Sequence, residues 1–210
     1  VELKPGDTQV LKVSVLPENA TDKTYTWSSS DESVATVADD IVTAVANGSA
    51  VITAVAADGT HKASMTVKVT TPVTGIEVTP AFVELKPGDT QVLKVSVLPE
   101  NATDKTYTWS SSDESVATVA DDIVTAVANG SAVITAVAAD GTHKASMTVK
   151  VTTPVTGIEV TPAFVELKPG DTQVLKVSVL PENATDKTYT WSSSDESVAT
   201  VADDIVTAVA

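Results

Sequence analysis

Apolar and polar residues alternate with a period of two along most of this chain. Over residues 23–37 the alternation puts Tyr25 and Trp27 on one face of a strand and Thr24, Thr26 and Ser28 on the other. The polar run from Ser28 to Ser33 then reads as a turn, and residues 34–37 return as a second short strand. Over residues 90–98 the same period sets Leu93, Val95 and Val97 against Lys94 and Ser96. Over residues 143–151 it points Met147, Val149 and Val151 inward. No segment sustains a helical period. The predicted core is therefore built on Tyr25, Trp27 and their repeats Tyr107 and Trp109, with Leu93, Val95, Met147 and Val149.

Turn chemistry divides the strands. Pro87-Gly88-Asp89 suits a turn in which Pro presets φ and Gly accepts a positive one. Asp121-Asp122 fits a two-residue hairpin turn. Asn129-Gly130, like Asn47-Gly48, reads as a type I′ hairpin turn, and Asp140-Gly141 as a second turn of that kind. Strands begin and end about every 8–12 residues, which is the pattern of an all-β, Ig-like sandwich of about seven to eight strands. A long parallel β-helix would show a far shorter repeat.

The chain repeats itself. Val1-Glu-Leu-Lys-Pro-Gly-Asp-Thr8 recurs at Val83 and Val165, a period of 82 residues without substitution. That length suits a head-to-tail array of whole small domains rather than a solenoid. The expected organisation is one Ig-like domain over residues 1–70 without its first strand, a complete one over 71–152, and one over 153–210 without its last two strands. The chain starts without Met and stops within a strand pattern, so it reads as a window on a longer array. An intact mass near 21.6 kDa for the natural protein would overturn that expectation.

Composition narrows the function classes. Cys is absent, which excludes disulfides and thiolate metal sites. The formal charge is −15, and each period sets ten acids against five lysines without a basic patch, which argues against nucleic acid as a partner. Even spacing of the acids suits solubility and mutual repulsion of neighbouring fibres. No apolar run approaches the ~20 residues needed to span a membrane.

Candidate chemistry is sparse. His61, again His143, stands at the start of a strand with no second His nearby and reads as a solvated edge residue. Asp31, Glu32, Asp39 and Asp40 are candidate oxygen ligands for Ca²⁺. The spaced Asp-x-Asp-x-Asp-Gly loop is missing, so a hydrated turn that caps its own backbone N–H groups is the simpler reading. Asn19-Ala-Thr21 and Asn47-Gly-Ser49 match the glycosylation sequon. There is no Gly-x-Ser-x-Gly elbow, phosphate loop or paired acids with a supporting His. The expectation is a protein with no catalytic residue and no cofactor.

Thr74-Gly-Ile-Glu-Val-Thr-Pro80, Leu85-Lys-Pro-Gly-Asp89, Val97-Leu-Pro-Glu-Asn-Ala-Thr103 and Thr108-Trp-Ser-Ser-Ser-Asp-Glu-Ser-Val-Ala-Thr-Val119 resemble the bacterial Ig-like domain, group 2, as does Val124-Thr-Ala-Val-Ala-Asn-Gly-Ser-Ala-Val-Ile-Thr135. The likeness covers essentially the whole period. One departure is that Ala120-Asp-Asp-Ile123 lacks the family's Gly-containing turn. The resemblance implies an extracellular tandem spacer of the kind found in intimin- and invasin-like adhesins, bacterial surface proteins and phage tails, with no catalytic residues to carry over. The expected partners are neighbouring identical domains, head to tail, and other copies of the chain in a filament. A linker of about three residues including Pro72 is too short to act as a free coil and suits a semi-rigid rod. The competing expectation is an adhesive module that itself recognises a host protein or glycan.

Overall fold

The computed structural model describes residues 1–210, and its regular structure is all strand. The first copy contributes β1 (Glu2–Leu3), β2 (Thr8–Val10), β3 (Tyr25–Ser29), β4 (Ala35–Ala38), β5 (Ile41–Ala44), β6 (Gly48–Ala56) and β7 (Lys62–Val69). The second contributes β8 (Gly75–Thr79), β9 (Phe82–Leu85), β10 (Thr90–Val92), β11 (Lys94–Leu98), β12 (Tyr107–Ser111), β13 (Ala117–Ala120), β14 (Ile123–Ala126), β15 (Gly130–Ala138) and β16 (Lys144–Val151). The third contributes β17 (Gly157–Thr161), β18 (Thr172–Val174), β19 (Lys176–Leu180), β20 (Ala199–Ala202) and β21 (Ile205–Ala208). The chain divides into two compact units: residues 1–77, 95–108 and 136–145 form one, and residues 78–94, 109–135 and 146–210 the other.

In the first copy one sheet runs β1-β7-β6-β3 and the other β2-β5-β4. β1 runs parallel to β7 with Leu3 opposite Val69, and β6 is antiparallel to both β7 and β3, with Trp27 opposite Ala54. Between the sheets lies a core of Val34, Val42, Ile52, Val67 and Val69, closed by small alanines. The second copy repeats both sheets as β9-β16-β15-β12 and β10-β14-β13, and adds β8 paired to β11. Pro80 lies between β8 and β9, which belong to different sheets; without an N–H it suits the point where one strand stops and its successor pairs elsewhere. The core of that copy gathers Leu93, Val116, Val124, Ile134, Met147, Val149 and Val151. Ile134 is 0 % exposed and Met147 1 %. Val95 is half-buried. Trp27 and Trp109 pack against their cores from the side and stay half-buried, so the fully enclosed volume is aliphatic.

Asp39-Asp40 is a two-residue hairpin turn. β4 and β5 pair with Ala38 opposite Ile41, and both aspartates take left-handed φ, +48° and +62°. Two aspartates, rather than a glycine, thus occupy the αL region at this turn.

Asn47-Gly48 and Asn129-Gly130 are not hairpin turns. The strand before each pair lies in one sheet and the strand after it in the other. These residues form the corner that carries the chain across the sandwich. The N–H groups of Val45 and Ala46 both bond the carbonyl of Val34, at 2.8 and 3.3 Å. Gly48 is required there by crowding, because a Cβ would meet Cγ2 of Val34 at 2.7 Å. Asp140-Gly141 and its repeat Asp58-Gly59 do lie in a hairpin, but a longer one than expected. The pair of Ala56 with His61 closes it, and only Gly59 has a positive φ, +72°.

Candidate functional site

The aromatic strand and the Asp-Asp turn meet. Nε1 of Trp27 and the hydroxyl of Tyr25 both donate to Oδ1 of Asp40, each at 2.8 Å. The two rings stand edge to face with centroids 5.9 Å apart. These bonds hold the Asp40 carboxyl below the usual carboxylate range, with the indole contributing most and the phenol next. They raise the Tyr25 phenol, chiefly through the same hydrogen bond. Asp40, offered above as a Ca²⁺ ligand, thus serves as an internal acceptor that ties the β4–β5 turn to the aromatic strand β3.

The other acids have local partners too. Oδ1 of Asp31 accepts from the Ser33 hydroxyl at 2.6 Å and the Ser33 N–H at 2.9 Å, which together hold its carboxyl below the usual carboxylate range. Its carbonyl also accepts from Val34 and Ala35. Glu32 and Asp39 are exposed. The structure brings no three His, Asp or Glu side chains together around a common point. The solvated His61 has a partner: its Nδ1 meets the Asp58 carboxylate, which also accepts from the N–H groups of Thr60 and His61. The Asp58 carboxyl is held far below its ordinary value, first by the imidazole and then by these backbone groups. His143 and Asp140 reproduce the pair at 2.5 Å.

A cleft of about 670 Å³ opens in the first copy among Val13, Leu16, Tyr25, Ala54 and Ala56. In the second copy the positions equivalent to half-buried Ala20 and Ala56, namely Ala102 and Ala138, are buried, and β8 lies against β11. Asp22, Asp58, His61 and Lys62 also line the cleft, and Asp22 and Asp58 are already engaged by Thr24 and His61.

The most organised polar constellation lies where one repeat meets the next. The segment 70–74 donates backwards from the Thr70 N–H to the Leu3 carbonyl at 2.9 Å and forwards from Thr74 to Leu98 at 2.7 Å. Thr152 to Leu85 and Thr156 to Leu180 repeat those bonds at 2.9 and 2.7 Å. Thr71 exchanges a second pair with the following copy: its N–H bonds Oγ1 of Thr103 at 2.8 Å, and its carbonyl accepts from the Thr103 N–H at 2.9 Å. The Asn47 side chain reaches the same place. Its Oδ1 accepts from the Thr71 hydroxyl at 2.8 Å, and its Nδ2 donates to the Asn101 carbonyl at 2.7 Å. Asn129, Thr153, Asn183 and Thr185 reproduce the set to within 0.1 Å. Sequence reasoning missed the junction because Asn-Gly already carried a sufficient turn explanation.

The model of the bacterial Ig-like domain (group 2) family matches residues 1–67, 72–149 and 154–210. The chain belongs to this family. An uncharacterised protein of Clostridium acetobutylicum is 37 % identical over 143 residues, which cover 67 % of this chain and 15 % of that protein. An Ig-like virion protein of a Serratia phage is 33 % identical over 135 residues, 62 % of this chain and 52 % of that protein. An alpha-L-arabinofuranosidase of Bifidobacterium longum is 38 % identical over 117 residues, 53 % of this chain but 11 % of that protein. The chain therefore spans from about a tenth to about half the length of these relatives. Family membership accounts for the tandem all-β sandwiches. No helix in the structure is long and apolar enough to cross a membrane.

Proposed function

We propose that this chain is a structural repeat of an extracellular bacterial fibre, stalk or adhesin, and that it acts as a semi-rigid spacer without catalysis of its own. The observation that carries this reading is the hydrogen-bonded linker. Within the five-residue segment 70–74, Thr70 donates to the copy before and Thr71 and Thr74 to the copy after, and Thr152, Thr153 and Thr156 repeat the pattern at the second junction. A spacer must resist bending at its joints, and a segment with bonds to both neighbours loses the freedom of a coil. The −15 charge opposes lateral collapse of neighbouring rods. The likeness to a phage virion protein supports a virion surface as the second setting for the same mechanical role. An adhesive module would need accessible aromatic or polar contact groups. Tyr25 and Trp27 have their polar ends committed to Asp40, which favours the spacer over the binder.

Immunogold electron microscopy with antibody against this chain tests the reading on the source cells or virions. Label along extended appendages with an axial spacing of roughly 40 Å per domain is expected, from strands rising about 3.3 Å per residue plus their loops. Label confined to the cell interior would overturn it.

A further inference from the structure

We propose that Asn47, and equally Asn129, is the residue that fixes the register of one repeat on the next, acting as a latch between its own sheet-crossing corner and the Pro-Glu-Asn-Ala-Thr loop of the following copy. This rests on the spacer reading and gives its stiffness a named origin. The Asn-Gly pair looks like turn chemistry, yet the corner does not use it so. Gly48 carries the positive φ and the tight approach to Val34, and the backbone of Asn47 is not left-handed. The identity of Asn47 is explained instead by its amide. Oδ1 accepts from the linker hydroxyl of Thr71 while Nδ2 donates to the carbonyl of Asn101, 54 residues downstream. Only a primary carboxamide presents one acceptor and one donor at that reach. Asp has no donor, and Gln places both groups one methylene further out. Asn47 is half-buried, and its bond with Thr71 is partly shielded from solvent. Loss of one partner there leaves the other group poorly solvated.

The latch has four bonds per junction: two from the Asn amide and two in the reciprocal Thr71–Thr103 exchange. Conversion of Asn47 to Asp would replace the donor with a carboxylate oxygen facing a carbonyl oxygen 2.7 Å away. Attraction becomes repulsion at that point, while the corner backbone, which needs nothing from the side chain, is unaffected.

The test compares the 210-residue chain with its N47D/N129D variant and with N19D as a control for added charge. Cleavage within residues 70–74 and 152–156 by a nonspecific protease, followed by mass spectrometry, reads local opening of the linker. Residual dipolar couplings read whether adjacent repeats share one alignment. The expected result is linker cleavage at least about tenfold faster, diverging alignment between repeats, and an unchanged melting temperature. T71V/T153V, which keeps the backbone exchange and removes only the hydroxyl donor, should move both readouts in the same direction by less. Unchanged cleavage and alignment in N47D/N129D would overturn the latch and leave the labelling test of the spacer untouched. A lowered melting temperature with unchanged alignment would also overturn it, since Asn47 would then be a stability residue of its own domain.

Discussion

Nε1 of Trp27 donates to Oδ1 of Asp40 across 2.8 Å, and the bond recurs from Trp109 to Asp122 at 2.8 Å and from Trp191 to Asp204 at 2.7 Å. It joins the aromatic strand to a hairpin turn thirteen residues later. The turn needs that support, because two successive non-glycine residues in the αL region each cost roughly 1–2 kcal/mol. The two aspartates share a conformation and differ in what their carboxylates do, so they separate experimentally. Glycine placed at Asp39, Asp121 and Asp203 relieves backbone strain and removes only an exposed side chain. It should leave the melting temperature unchanged or raised. Glycine at Asp40, Asp122 and Asp204 relieves the same strain but deletes the acceptor, and should lower it. Equal effects in thermal unfolding followed by circular dichroism would show that the tryptophan bond contributes nothing.

The same constellation sets a pH window. The Asp40 carboxyl is depressed by the indole and phenol bonds, so its contribution is present above the ordinary carboxylate value near 3.9 and is lost as pH falls through its lower folded value. Asp22, Asp31 and Asp58 are depressed by Thr24, Ser33 and His61 respectively and share that acid limb. The Tyr25 phenol is raised, so its contribution is complete below about 10 and is lost as pH rises through its higher folded value. Stability should therefore be flat between about pH 4 and 10 and fall at both ends. Replacing Tyr25, Tyr107 and Tyr189 by Phe should flatten the alkaline fall and leave the acid fall largely in place. Denaturant midpoints measured across pH check this, and an alkaline limb that survives the substitution would refute the assignment.

Gly48 and Gly59 both have positive φ, yet they answer to different constraints. A Cβ at Gly59 meets nothing within 4 Å, so Gly59→Ala should cost only the backbone strain of about 1–2 kcal/mol. A Cβ at Gly48 lands 2.7 Å from Cγ2 of buried Val34, so Gly48→Ala should cost more. Adding Val34→Ala should recover part of the excess. A double-mutant cycle with no coupling between positions 48 and 34 would mean that the corner relaxes and the crowding is unimportant.

In the core, Ile134→Ala removes a side chain with no exposed surface and should cost about 2–5 kcal/mol. The loss should be confined to the second copy, because the core of that copy holds no residue of the others. Segment-resolved hydrogen exchange would read this as lost protection in the strands of the second copy, β8–β16, alone. A loss spread evenly over the three copies would mean that they unfold as one.

Much of this was legible in the sequence, and the failures have a common cause. Alternation located Met147, Val149 and Val151 on the inner face, and the repeat located the copies. The type I′ reading of Asn47-Gly48 failed because two strands joined by a short turn need not pair with each other; pairing partners are a long-range property that local turn chemistry does not encode. Asp40 was offered as a cation ligand because charge is visible in a sequence, whereas the indole donor that occupies it comes from another strand. The junction residues were hidden for the same reason, since Asn47 and Asn101 meet only once two domains are folded.

Identical letters in unlike surroundings carry that point to a last prediction. Tyr-Thr-Trp-Ser-Ser is a strand at Tyr25–Ser29, where it pairs with β6, and at Tyr107–Ser111, where its sheet neighbour is β15. At residues 189–193 the same five residues form no strand. Burial follows the surroundings as well. Ile76 is 7 % exposed and its repeat Ile158 54 %, and Leu98 is 37 % exposed against 75 % for Leu16. β-propensity is therefore permissive here, and the partner strand decides. In the 210-residue chain, amides of residues 107–111 should exchange with solvent at least ~100-fold more slowly than those of 189–193, although the sequences are the same. Equal protection would mean that the Trp–Asp bond, which all three copies keep, is enough to hold the strand without a neighbour.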